Sequence, residues 1–192
     1  MALLTGSNKL KTAVFISGTG SNLKSLIHFS KLKKSPIIIK MIISNNSKSK
    51  GLQYAKIYKI NKKVFDFKNT LSEKKIIFEL NKNKINLICL AGFMKILSKN
   101  FIKNFKGKIL NIHPSLLPKY KGLNTHEKAI KNKDKYSGCT VHFVNSSLDS
   151  GKIINQKKVK IGRFDTPKTL AKKILIQEHK LYPAAIMKIL NL

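Results

Sequence analysis

The 192-residue chain contains no tryptophan, one arginine (Arg163), eight acidic residues against 39 basic ones, and two cysteines. Each scarcity removes a class of function. Cys89 and Cys139 both sit in apolar, strand-like runs; two such thiols do not make a disulfide framework, and no Cys/His spacing matches a zinc site. A single arginine leaves little for a module that reads bases or phosphates through guanidinium forks, and aromatic stacking platforms are lacking as well. No apolar run reaches the length of a membrane span; residues 36–43 are interrupted by Lys40 and read as a buried strand. The first ten residues lack the charged start and long apolar centre of a signal peptide, so residues 1–11 read as a loose leader and the expected location is cytoplasmic. Ten glycines and five prolines are no excess. With no low-complexity linker or internal repeat either, one folded domain is expected over residues 12–192.

Lysine is what abounds, giving a formal charge of +31. The lysines are spread through every segment and accompany abundant asparagine and isoleucine, the signature of AT-rich codons rather than of a clustered basic face. Attraction of anionic substrates and weak, nonspecific polyanion binding follow from the charge; a specific nucleic-acid partner does not.

Hydrophobic periodicity alternates between strand and helix. Strands are predicted at 12–17, 37–43, 63–67, 85–91, 108–113, 139–144 and 153–161. Helices are predicted at 21–29, 51–60, 72–82, 98–105, 125–133 and 166–191, the last bent at Pro183. Repeated βαβ units imply an α/β, Rossmann-like domain whose mostly parallel twisted sheet is covered by helices on both faces. Ligands are then expected at the carboxyl ends of the strands.

Asn111-Ile-His113-Pro-Ser-Leu-Leu-Pro118-Lys-Tyr-Lys-Gly122 lies at one such end. Residues i and i+2 of a strand share a face, so Asn111 and His113 point the same way, and the prolines that follow make a rigid loop. An amide donor beside a titratable imidazole suits stabilisation of a developing oxyanion. Taken alone, the same residues also fit a core histidine. Leu148-Asp149-Ser150-Gly151 could bring a carboxylate near His113 and raise its pKa, though Asp-Ser-Gly is also ordinary turn chemistry. Ser17-Gly-Thr-Gly20-Ser21-Asn22-Leu23, between a strand and a helix, could cradle a small phosphate on free amides. It is neither a dinucleotide fingerprint nor a P-loop, and it also reads as a plain glycine turn capped by Ser21. Met94-Lys95-Ile96-Leu97 could wall a flat heterocycle or plug the core. His142, inside a strand, reads as structural.

Five segments in order resemble the folate-dependent phosphoribosylglycinamide formyltransferases: residues 16–23, 90–97, 111–122, 141–151 and 177–183. The resemblance implies transfer of formyl from 10-formyltetrahydrofolate, as co-substrate and without a metal, to the amine of the ribonucleotide. It assigns Asn111 to the formyl oxygen, His113 to oxyanion stabilisation and general acid catalysis, and Asp149 to tuning His113 through water. Gly20, Ser21, Asn22 and Leu23 would bind the phosphate, Glu178 the ribose side, and Met94, Lys95, Ile96 and Leu97, with Asn111, the folate. It also marks Leu117–Pro118 as a candidate cis peptide. Lys95 stands where many relatives carry arginine, and a further folate-side arginine of the family falls within residues 68–75, where Glu73 or a lysine stands instead. Small-molecule substrates and a monomer or weak homodimer are expected. An aminoacyl-tRNA formyltransferase or a formyl-folate hydrolase of the same superfamily is the alternative. The first normally needs an added C-terminal domain for which 192 residues leave no room. The second normally carries an extra domain at the front, whereas the first strand is expected almost at the start of this sequence.

Overall fold

The computed structural model describes residues 9–67 and 70–191. Its elements are β1 (Leu10–Ile16), α1 (Ser21–Ser30), β2 (Ile37–Ser44), a 3-10 turn (Lys50–Leu52) leading into α2 (Gln53–Ile57), β3 (Asn61–Val64), α3 (Thr70–Lys82) and β4 (Leu87–Leu90), followed by α4 (Lys99–Asn104), β5 (Lys108–His113), α5 (Thr125–Lys131), β6 (Tyr136–Phe143), β7 (Ile153–Lys160) and α6 (Pro167–Lys188). Seven strands form one sheet in the order β3-β2-β1-β4-β5-β6-β7. The pairs β1–β2, β1–β4 and β2–β3 are parallel, and β6–β7 is antiparallel. This is the α/β architecture that the strand–helix alternation predicts.

Several element boundaries differ from the periodicity, and three of them have a plain local reason. β1 begins at Leu10, inside the stretch read as leader, because Leu10 pairs with Ile37 and its N–H reaches Pro36 O at 2.8 Å. α2 stops at Ile57, since Lys59 turns left-handed (φ 53°) and Ile60 N–H bonds back to Ala55 O. β3 covers 61–64 rather than 63–67, because its ladder with β2 ends where Ser44 meets Val64. Beyond it Phe67 turns left-handed and packs edge-on against Phe15 and Phe93.

The chain divides into two compact units, Met1–Leu110 and Asn111–Leu192. In the first, Ala13–Ile16, Ile42, Ile43 and Leu87–Cys89 are buried in the central strands, with Leu23, Leu26, Ile76 and Phe101 from the helices. In the second, Cys139 and Val141 of β6 are buried, as are Leu170, Ile174, Tyr182 and Ile186 of α6. α6 is started by Thr166, whose hydroxyl accepts from Thr169 N–H while the Thr169 hydroxyl accepts from Thr166 N–H.

Candidate active site

β5 carries Asn111 half-buried and His113 buried at its carboxyl end, two residues apart and on one face. The loop that follows is tied to the β6–β7 hairpin. Thr140 Oγ1 donates to Ser115 O and accepts from Leu117 N–H, and Gln156 Nε2 donates to both Leu117 O and Thr140 Oγ1. The Leu117–Pro118 peptide is cis, as the resemblance implied.

Asp149 arrives from the loop after β6, itself left-handed at φ 45°. Gly151 makes this possible: a Cβ there would stand 1.7 Å from Phe143 O. Gly151→Ala is therefore expected to push the 148–151 loop outward and cost about a hundredfold in turnover, with most of the melting temperature retained; kinetics paired with thermal denaturation checks it. Lys121 Nζ to Ser150 Oγ, at 2.5 Å, straps this loop to the proline loop.

The three predicted residues meet directly. Asp149 Oδ2 lies 3.3 Å from His113 Nδ1 and accepts Gly122 N–H at 2.9 Å; Asp149 Oδ1 accepts from Asn111 Nδ2 at 3.4 Å. No intervening water is needed, because the carboxylate is already in contact with the ring. On its other side His113 Nε2 donates to Tyr120 O at 2.8 Å. A carbonyl can only accept, so Nε2 keeps a proton and Nδ1 holds the second when the ring is charged.

The predicted rise in the His113 pKa is corrected by the structure. Burial of the ring is the largest influence and holds the pKa below its ordinary value; Tyr120 O and Asp149 push it up, while His142 and Lys128 push it down. Asp149 acts in the predicted direction and burial outweighs it. For Asp149 itself burial pushes upward, but the His142 ring beside it, the Gly122 N–H and the His113 imidazole leave it below the usual carboxylate range.

His142 belongs to this cluster and was missed. Its Nδ1–H donates to Phe143 O at 2.8 Å, so Nε2 presents a lone pair and accepts from Asn111 Nδ2 at 3.2 Å, with Asp149 Oδ1 at 3.6 Å. This fixes the Asn111 amide with its NH2 toward His142 and Asp149. A register shift between Val141 and His142, where β6 pairs with β7, marks the position. The skipped residue, Ile154, is on β7, so alternation along the nearly buried β6 gives no sign of it.

In the first unit Gly20 is the N-cap of α1, left-handed at φ 76°, and Ser21 is its first helical residue rather than its cap. A Cβ on Gly20 would lie 2.7 Å from Gly51 Cα, and Gly18 O accepts from both Gly51 N–H and Ser49 Oγ. Leu23 is fully buried and Asn22 nearly so, which leaves backbone N–H groups at the helix start as the loop's offering to a ligand. Ser17 Oγ accepts Met94 N–H at 2.8 Å, linking this loop to the 92–97 segment. There Met94 and Ile96 are 65% and 74% exposed and Lys95 is exposed, while Leu97 turns into the core. Glu73 is committed elsewhere: its carboxylate accepts both the N–H and the hydroxyl of Ser98, the N-cap of α4. Lys68 and Asn69 lie outside the described residues. Glu178 is buried on α6, and its charge adds to the burial that pushes the Cys139 thiol up to about 12.

The family model described as formyl transferase matches residues 10–186. This chain belongs to the formyl transferase family. The phosphoribosylglycinamide formyltransferase of Haemophilus influenzae is 44% identical over 180 residues, covering 92% of this chain and 85% of that protein. Human trifunctional purine biosynthetic protein adenosine-3 is 43% identical over 93% of this chain, but the chain spans only 18% of its length. The crystal structure of the Brucella melitensis phosphoribosylglycinamide formyltransferase superposes with a TM-score of 0.89 at 40% identity, covering 94% of this chain and 95% of that one. Both the family match and the superposition cross the boundary between the two units. Membership in this family gives the Asn111–His113–Asp149 contacts a chemical context: an amide donor, an acid/base and a carboxylate within hydrogen-bonding range at a strand end, where a formyl group can be polarised.

Proposed function

We propose that this chain transfers the formyl group of 10-formyltetrahydrofolate to the primary amine of glycinamide ribonucleotide, giving the N-formyl product of purine biosynthesis. The observation that carries the reading is the direct Asp149 Oδ2–His113 Nδ1 contact at 3.3 Å beside the Asn111 amide. The amine nitrogen attacks the formyl carbon and the C=O pair moves onto oxygen. Nδ1–H of His113 and the Asn111 NH2 stabilise that oxyanion. Of the two Asn111 donor contacts the one to Asp149, at 3.4 Å, is the longer and the easier to redirect. Collapse restores the carbonyl and breaks the bond to N10 of the folate, which gains one proton as the amine loses one.

The phosphate is assigned to the amides of Gly20, Ser21, Asn22 and Leu23 at the start of α1, the ribose side to Glu178, and the folate heterocycle to Met94–Leu97, whose exposed Met94 and Ile96 suit a flat apolar face. We assign the chain from β1 at Leu10 onward to one functional domain with small-molecule substrates, working in the cytoplasm as a monomer or weak homodimer. Among the described residues no helix is long and apolar enough to cross a membrane.

Gly20→Ala should raise KM for the ribonucleotide by about tenfold and KM for the folate by less, since the added Cβ would meet Gly51 Cα and displace the anion cradle first; steady-state kinetics with each substrate varied checks it. The proposal itself is tested by the absorbance change of folate release. Release that requires glycinamide ribonucleotide supports it, release without an amine acceptor points to the hydrolase, and no release in either case refutes it.

A further inference from the structure

We infer that Tyr120 and Asp134 are positioning residues for His113: the Asp134 carboxylate and the Tyr120 phenol together hold the backbone carbonyl that fixes the imidazole. Tyr120 (φ 57°), Gly122 (φ 74°) and Asn124 (φ 60°) are all left-handed, an alternating pattern that L residues do not hold without outside support. At Tyr120 the conformation has a direct consequence, since its carbonyl accepts His113 Nε2–H at 2.8 Å. Two residues on, Gly122 N–H donates to Asp149. The loop thus supplies an acceptor to one member of the pair and a donor to the other.

The support comes from beyond the site. Tyr120 OH donates to Asp134 Oδ2 at 2.9 Å and accepts from Asn132 Nδ2 at 2.7 Å, and Lys119 Nζ donates to Asp134 Oδ1 at 2.7 Å. Asp134 is fixed in turn, because its N–H bonds to Ala129 O just after α5. Burial alone would raise the Asp134 pKa, but the Lys119 and Tyr120 hydrogen bonds hold it below the usual carboxylate range. The clamp therefore keeps its charge across the range where histidine titrates. The groups around His113 are Asp149, the Tyr120 carbonyl, His142 of β6, and Lys128 and His126 of α5. Of these, Tyr120 O and Asp149 favour the charged ring.

The inference rests on the reading of His113 as the acid, and its test uses a property seen without turnover. Long-range 1H–15N spectra of the full chain give the tautomer and titration of His113. In the intact protein the neutral ring should carry its proton on Nε2. In Tyr120→Phe and Asp134→Asn the titration should move to lower pH, because the carbonyl that favours the charged ring is no longer held. Turnover should fall about tenfold, with both KM values within about twofold, and Asp134→Glu should recover most of the loss. Wild-type tautomer and titration in the folded variants would overturn the clamp whatever their activity, and would leave the formyl-transfer reading untouched. Tyr120→Phe loses a single oxygen, so it carries the test if Asp134→Asn does not fold.

Discussion

Replacing His113 with alanine is expected to lower kcat by about a thousandfold while both KM values stay within a few fold. The ring is buried, with its nitrogens aimed at Tyr120 O and Asp149 Oδ2. Such a group contributes little to holding a substrate and much to a charge that develops only in the transition state. Its Nδ1 contact is the longer of the two, 3.3 Å against 2.8 Å, so the Nδ1 proton is the one free to follow an oxyanion. A thousandfold loss corresponds to about 4 kcal/mol of barrier, within reach of a positioned acid in a water-poor site. Single-turnover rates with both substrates saturating would measure it. Full activity in the folded variant would remove His113 from the mechanism.

Asp149→Asn is the second large effect, about a hundredfold in kcat at neutral pH. Burial already holds the His113 pKa low, and Asp149 is one of two groups opposing it. Without the carboxylate the pKa falls further and less imidazolium exists at neutral pH. The activity of the variant should therefore recover in part as pH falls, the alkaline limb of the rate profile, where the imidazolium is lost, having moved to lower pH. Stability should change in the matching direction. Because the Asp149 pKa lies below its unfolded value, the ionised carboxylate stabilises the native state above the unfolded pKa, and that stabilisation is lost as pH falls through the folded one. The asparagine variant should be less stable than wild type at neutral pH and lose less on acidification. Melting temperatures at pH 7 and at a pH well below the ordinary carboxylate value of 3.8 check this, and an equal loss in the two proteins would contradict it.

The features legible in the sequence are those that follow from a period or from a backbone requirement. β5 was legible at both ends, since Lys108–His113 alternates and Pro114 stops it, and with it came the shared face of Asn111 and His113. Gly20 was legible because a strand-to-helix turn needs a left-handed residue there. Features that depend on three-dimensional neighbours were hidden. His142 looked structural because β6 is buried nearly throughout, and its partner Asn111 comes from the neighbouring strand β5. The net direction of the His113 pKa was hidden too: the partner could be guessed from Asp149, but the degree of burial could not. Tyr120 showed no periodic signal, because its role is carried by a backbone carbonyl and a left-handed φ.

The central claim is that formyl passes to the ribonucleotide amine at the Asn111–His113–Asp149 cluster. Its most direct test follows a 13C-labelled formyl group by mass spectrometry, with wild type and His113→Ala run in parallel. The account predicts label on the amine of glycinamide ribonucleotide with wild type and almost none with the variant. Label appearing as free formate regardless of acceptor, or on the amine at equal rates with both proteins, would contradict it.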